Sequence, residues 1–422
     1  MEHRVVITGM GIVSPNGIGL KAFTEAIQSG RSGIQHDPEL ERLQFSCQIA
    51  GKPEISEALR SSYFSELELR NFNSTGILYG VIAGMEAWAD AALPIAGEEP
   101  DWNSGTVFGA GTSGIDRFRE AICKIDELQV RRLGSTVVAQ TMVSGVSAYL
   151  GGKLGLGNQV STNSSACATG AESILLCYER IRSGQAERML AGSTSDSGPY
   201  IWGGFDAMKV CTYKHNASPE QGSRPMSASA SGFVPGSGAG ALVLESLESA
   251  LKRGARIYAE VLGGSVNSGG QRGSGSMTAP NSQAVQRCIR DAMRNAQVEA
   301  RDIDAINGHL TATGKDALEI ENWCAALGRK GTDFPYINSL KGMTGHGLSA
   351  SGSMECVASV LQLHLGFLFP NINCEDLHPE IICSIDASKI PQELLYKDIN
   401  ILAKASFGFG DVNACLLFKK YS

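Results

Sequence analysis

Charge is scarce in this chain and no sign of it dominates strongly. Asp, Glu, Lys and Arg make up 19% of the 422 residues and leave a formal net charge of -7, below the quarter that is usual. A net negative balance argues against general nucleic-acid binding, although a local basic patch could still receive an acidic protein partner. No apolar run approaches the length that crosses a bilayer, so no membrane span is expected. The 11 cysteines stand singly, without a C-x-x-C or any zinc-type spacing, and no disulfide framework or structural metal site is expected from them. Cys374, His378 and Cys383 form a loose group whose irregular spacing around Pro379 matches no ligand pattern. Met1-Glu2-His3-Arg4 runs straight into strand-like sequence without an apolar h-region, which gives the expectation of a cytosolic protein with reduced thiols.

Glycine is abundant, with 50 residues, and implies many tight turns and close backbone approaches. With so little charge for its length, the chain is expected to share surface in an oligomer. Strand-like runs alternate with helical ones. Arg4 to Val13 reads as a buried strand, Leu20 to Ser29 and Gly76 to Ala92 as helices, Thr106 to Gly109 as a strand, and Glu187 to Gly192 as another. This alternation predicts an α/β layered fold with a mainly parallel sheet. Gly9 and Gly11 sit where a dinucleotide loop might begin, but the third glycine and the distant acidic residue are missing, so a tight turn is expected there. R-V-V-I-T-G-M-G near the start and R-I-Y-A-E-V-L-G-G from Arg256 hint at a duplication. The boundary between halves is placed near residue 255.

Val160 to Ser183 concentrates the chemistry. Small and hydroxyl residues lead into Cys167, and Ile174, Leu175, Tyr178 and Ile181 then recur at helical spacing until Gly184. A cysteine at the start of a helix meets unpaired N–H groups and the positive end of the dipole, which favour the thiolate. Burial as an inert small hydrophobe is the competing role for any lone cysteine. Further along, His309 lies in the turn after Ala305-Ile306-Asn307, and His346 lies just ahead of a small-residue helix. The other five histidines have no comparable setting.

Cys167 in A-C-A, His309 in H-x-T-x-T and His346 in K-x-M-T-G-H together resemble the elongating β-ketoacyl-acyl-carrier-protein synthases of the thiolase superfamily. The resemblance extends along the whole chain, through V-V-I-T-G-M-G-I-V-S-P-N-G, S-R-P-M, G-F-V-P-G-S-G-A-G and S-F-G-F-G-D-V-N. It implies a thiolase-like layered fold of two similar halves, residues 1–255 carrying the nucleophile and residues 256–422 carrying both histidines. It also implies an acyltransferase that holds an acyl chain on Cys167 and condenses it with a malonyl thioester on acyl carrier protein as carbon dioxide leaves. His309 and His346 would steady the enolate, and the backbone N–H groups of Cys167 and Phe409 the oxyanion. Lys341 would pair with Glu355 to orient the site. Thr311 and Thr313 would bind the phosphopantetheine arm, and Phe407 and Phe409 would wall the acyl pocket.

No metal or redox cofactor is implied. A cytoplasmic homodimer, or a heterodimer with a homologous ketosynthase-like subunit, is. The chain departs from the family pattern in three places. Leu310 stands for a Gly in the histidine turn, where a Pro is absent and Asp316 comes one residue early. The A-S-G-F-V-P-G-S-G block lacks the usual acidic residues. Asp411 and Val412 replace Gly and Thr. These departures point from housekeeping fatty acid synthesis toward a specialised polyketide or polyene pathway. A thiolase acting on coenzyme A esters is the rival reading, and it would carry a second cysteine where His346 stands. One subunit of a ketosynthase/chain-length-factor pair is another.

Overall fold

A computed structural model describes residues 2–70 and 72–421. Met1 and Ser422, at the outer bounds of the two expected halves, and Asn71 lie outside the described residues. Eleven strands form one sheet: β1 (Val5–Ser14), β2 (Gly17–Ile18), β3 (Ser104–Ala110), β4 (Val160–Ser161), β5 (Arg188–Ser195), β6 (Gly238–Ser246), β7 (Ala259–Ser268), β8 (Ala305–Asn307), β9 (Tyr336–Asn338), β10 (Ile401–Gly408) and β11 (Val412–Lys420). Their spatial order is β9-β8-β10-β11-β7-β1-β6-β5-β3-β4, with β2 beside β1.

The order reads as the same arrangement twice. From β1 through β6, β5 and β3 to β4 the pairings run antiparallel, antiparallel, parallel, parallel. From β7 through β11, β10 and β8 to β9 they run the same way. The two glycine-containing strands whose sequences look alike, β1 and β7, are counterparts, and they join the halves by a short antiparallel pairing from Val5↔Val261 to Ile7↔Ala259. The expected mainly parallel sheet is therefore corrected: parallel pairs are confined to the outer strands of each half. Strand–helix alternation cannot separate a crossover that restores direction from an excursion that reverses it. Residues 196–237 make such an excursion between β5 and β6, and residues 409–411 close a hairpin between β10 and β11, a connection open only to antiparallel neighbours.

Both faces of the sheet are covered. In β6, Leu242 and Leu244 join one apolar cluster while Ala239, Ala241 and Val243 join another. In β11, Ala414, Leu416 and Phe418 join the first cluster while Cys415 and Leu417 join a third. Period-two alternation sends neighbours to opposite faces, so each half needs helices on both sides. Outer cover comes from α1 (Thr75–Asp90) on the first half, and from α3 (Ser282–Ala296) with α4 (Asp316–Leu327) on the second. The shared middle layer is α2 (Thr169–Arg182) and α5 (Ser351–Leu365). Residues Ser351 to Leu363 of α5 are all buried, as expected for a helix with protein on every side.

Two glycines let α2 and α5 touch. A Cβ on Gly170 would fall 2.3 Å from the Ser353 nitrogen, and one on Gly352 would fall 2.6 Å from the Ala171 nitrogen. Because Cys167 immediately precedes α2 and His346 lies just before α5, this crossing brings the two side chains to one place. Gly170→Ala is expected to lower unfolding free energy by about 3 kcal/mol, the upper range for overpacking a core. Denaturant unfolding checks this, and an unchanged midpoint would show that the helices can part without cost.

Candidate active site

Cys167 stands on a strained elbow. Ala166 adopts a left-handed φ of 49°, which costs a residue with a side chain about 1–3 kcal/mol and persists only where the surroundings enforce it. Here the Thr169 hydroxyl donates to the Ala166 carbonyl at 2.6 Å and receives the Ser165 N–H at 2.8 Å. Residues Ala166–Ala168 form a 3-10 turn before α2 begins. The sulfur is thereby held at the wall of a cavity of about 400 Å³, with Cys167 only 9% exposed.

The chain's own N–H at Cys167 and that of Phe409 both act on this sulfur. Gly408 makes the approach possible, because a Cβ there would lie 3.0 Å from the Cys167 nitrogen. The expectation of a thiolate favoured by its helix start is corrected. Burial pushes the Cys167 thiol up to about 11, while the Lys341 charge and the two N–H groups pull it down by less. Water solvates a thiolate far better than this apolar pocket does, and that loss outweighs the dipole.

His309 and His346 come to the same cavity from the second half. One donor atom from each, with the Cys167 sulfur, forms a set lying within 4.8 Å of one another, and the rings meet edge to face at 5.4 Å. By donor type the three could also ligate a soft ion. The Leu348 N–H points to His346 Nδ1 at 3.3 Å. A backbone N–H can only donate, so Nδ1 accepts and Nε2 carries the proton. His309 Nδ1 is buried without a hydrogen-bond partner. Burial first, and then the Lys341 charge, hold both imidazoles well below their ordinary range. Two neutral rings, one with a defined N–H donor, therefore face the sulfur.

The supports lie one layer behind. Lys341 donates to the His309 carbonyl at 2.6 Å and pairs with Glu355, so the two residues expected to orient the site do contact each other. Asp316 receives the Thr311 and Ala312 N–H groups at 2.9 and 3.1 Å. The missing residue in this turn has thus not displaced the carboxylate from the turn it caps. Leu310, in the place of a glycine, is buried in the second-half core. Thr311 and Thr313 line the cavity with their hydroxyls 3.0 Å apart, and Phe407 and Phe409 line it too.

Three residues escaped the sequence reading. Glu319 receives the His309 and Leu310 N–H groups, each at 2.7 Å. Phe233 lines the cavity and meets the His346 ring at 5.2 Å, and the adjacent Val234 carbonyl takes the His346 N–H at 2.7 Å. Lys404, fully buried, reaches Glu355 from β10. The available signal for it was a lysine inside the apolar run I-L-A-K-A-S. Asp411 has a structural role as well. In a left-handed conformation, φ 62°, it takes the N–H groups of Gln271 and Asn281 at 3.0 and 2.8 Å. This ties the segment bearing Thr278 and Pro280, both on the cavity, to the Phe409 loop.

Residues 2–250 match the β-ketoacyl synthase N-terminal domain, and residues 258–375 match its C-terminal domain. The chain belongs to the β-ketoacyl synthase family. It is 34% identical over 423 residues to 3-oxoacyl-[acyl-carrier-protein] synthase 2 of Vibrio harveyi, covering 99% of each chain. Among solved structures, a β-ketoacyl synthase from Burkholderia phymatum is 28% identical with a TM-score of 0.89, and the ishigamide ketosynthase/chain length factor is 27% identical with a TM-score of 0.88. Both alignments cover 100% of each chain. The fold is thus the ketosynthase fold of two similar halves.

Proposed function

We propose that this β-ketoacyl synthase is an acyltransferase that performs a decarboxylative Claisen condensation between an acyl chain held on Cys167 and a malonyl group on acyl carrier protein. The observation that carries the reading is the convergence of one sulfur, two backbone N–H groups and two neutral imidazoles on a single cavity. In the first half-reaction the Cys167 sulfur attacks the acyl thioester carbonyl. The oxyanion sits at the N–H groups of Cys167 and Phe409, the old C–S bond breaks, and the thiol proton ends on the departing carrier thiol. In the second, the malonyl carboxylate leaves as carbon dioxide. The enolate oxygen is held by His309 and His346, and its carbon attacks the acyl-Cys167 carbonyl. The Cys167 sulfur departs as a thiolate and takes a proton from water. Neutral imidazole N–H groups stabilise the enolate without changing protonation state.

Lys341 and Glu355 fix the His309 turn, Thr311 and Thr313 receive the phosphopantetheine arm, and Phe407 and Phe409 wall the acyl chain. No metal or redox cofactor is needed for these steps. The nucleophile comes from residues 1–255 and both histidines from residues 256–422. A histidine rather than a cysteine at position 346 favours condensation over a thiolase reaction. The test offers acyl- and malonyl-carrier thioesters together and follows carbon dioxide and the 3-oxoacyl-carrier product. Condensation of coenzyme A esters with no carrier and no carbon dioxide would establish the thiolase reading instead.

A dimer, of two copies or with a homologous subunit, fits the surface. Phe118, Ile122 and Ile125 share one face of the helix Ile115–Asp126 and are 51%, 45% and 46% exposed, with Leu128 and Val138 beyond it. Contiguous apolar area of this kind is unusual on a monomer. Light scattering and co-purification distinguish the assemblies. No helix among the described residues is long and apolar enough to cross a membrane, and a cytoplasmic location is part of the proposal.

A further inference from the structure

The three groups that meet at the cavity also make a ligand set. The Cys167 sulfur and one nitrogen of each ring all lie within 4.8 Å of one another. A three-coordinate ion with bonds of about 2.3 Å to sulfur and about 2.0 Å to nitrogen spaces its ligands by about 3.5–3.8 Å. Closing on a metal therefore asks each group to move by about 1 Å or less.

Each ring can offer a lone pair. His309 Nδ1 is buried without a hydrogen-bond partner. His346 Nδ1 faces the Ser351 hydroxyl at 3.0 Å and the Leu348 N–H at 3.3 Å, which leaves Nε2 for the cavity. In the resting ring that Nε2 carries the proton. A metal bound there moves the proton to Nδ1, where the Ser351 oxygen accepts it, and only the longer Leu348 contact is given up. A ligating histidine commonly holds its second N–H against an acceptor in this way.

The donor set and the charge around it select the ion. Thiolate with imidazole suits soft ions, copper(I) and zinc among them. Cys167 exchanges its proton for the metal, so a monovalent ion leaves the charge of the pocket as it was and a divalent ion adds one positive charge. That addition is unfavourable here. The walls include Val210, Phe233, Phe407 and Phe409, and the Lys341 ammonium sits on the His309 carbonyl at 2.6 Å. Glu355 is shared between Lys341 and Lys404, while Asp316 and Glu319 are taken by backbone N–H groups. An uncompensated buried charge costs several kcal/mol. We propose that Cys167, His309 and His346 form an inhibitory site for copper(I), a soft monovalent ion, whose binding closes the sulfur to acyl groups. The S–H bond breaks, an S–Cu bond forms, the two ring nitrogens donate lone pairs, and the proton goes to water. Nothing is oxidised or reduced. Only the consequence for acyl loading rests on the proposed acyl transfer.

Among the described residues Cys123 and Cys383 are the exposed cysteines, and they would take copper without any ring. The experiment uses the Cys123→Ser, Cys383→Ser protein, which removes that background. One equivalent of copper(I) is offered anaerobically against excess bicinchoninate, and the retained ion is read by X-ray absorption. One ion per chain, held by one sulfur and two nitrogens, is expected. His309→Ala and His346→Ala should each lower the affinity by at least about tenfold, and Cys167→Ala should retain none. A sulfur-only shell, loss of all copper to the chelator, or equal affinity in Cys167→Ala overturns the proposal. The absorption spectrum is taken with all three ligands in place, so it decides the question even if a ligand variant does not fold. Copper in the same protein is expected to abolish acyl loading, and a larger excess of chelator to restore it; loading that proceeds with the ion bound overturns the inhibitory role. Binding needs no substrate, so failure to load any acyl group without copper counts against the acyl-transfer reading and leaves the metal site separately measured.

Discussion

Cys167→Ala folds and takes up no acyl group: intact mass after incubation with an acyl-carrier thioester shows no adduct, and condensation falls by at least about 10⁴-fold, the scale seen when a covalent nucleophile is removed. The size follows from what surrounds the sulfur. The Cys167 and Phe409 N–H groups converge on it, and among the described residues no other cysteine lines the cavity. Ala leaves the elbow intact, because Ala166 and Thr169 hold it through backbone and hydroxyl bonds, so the loss is of chemistry and not of fold. Burial adds a pH signature. With the thiol pushed up to about 11, alkylation of Cys167 by a small neutral reagent should climb about tenfold per pH unit through the neutral and mildly alkaline range. A plateau near neutrality would mean that the thiolate is stabilised after all. Normal acyl loading of the Ala variant would remove Cys167 from the mechanism altogether.

Much of this site was legible before any coordinates, and the reason is local. Cys167 follows small residues and precedes an apolar helix, and His309 and His346 each sit in a turn at an element end. Turn and cap chemistry is written in neighbouring residues. The sulfur's protonation was not legible, because helix position is a sequence property and desolvation is not. Sheet direction failed for a related reason: the antiparallel return of β6 after residues 196–237 depends on how a long segment travels. Lys404 and Glu319 were missed because packing, and not the neighbouring residues, supplies their partners. Lys404 meets Glu355 across the middle layer, and Glu319 reaches back to the His309 turn only once α4 is packed. Phe233 was inside a recognised block, yet nothing in its neighbours tied it to His346.

His309→Ala and His346→Ala separate the two half-reactions. Each is expected to lower malonyl-carrier decarboxylation by about 10²–10³-fold, the scale for removing one preorganised donor to an oxyanion. Acyl loading should persist at a reduced rate, because its oxyanion is held by backbone N–H groups that neither substitution removes. The two histidines are not equivalent. His346 has its proton fixed on Nε2 by the Leu348 N–H, so it can only donate into the cavity while neutral. His346→Asn, which keeps an N–H donor, should therefore recover part of the decarboxylation lost in His346→Ala. His309 has an unpartnered Nδ1 and a backbone clamped by Lys341 and Glu319. Its ring is free to take the thiol proton, and His309→Ala should slow loading more than His346→Ala does. Single-turnover assays that score labelled acyl-enzyme and released carbon dioxide separately make the comparison. If both signals fall in step in both variants, the imidazoles hold the pocket's shape and the enolate is stabilised elsewhere.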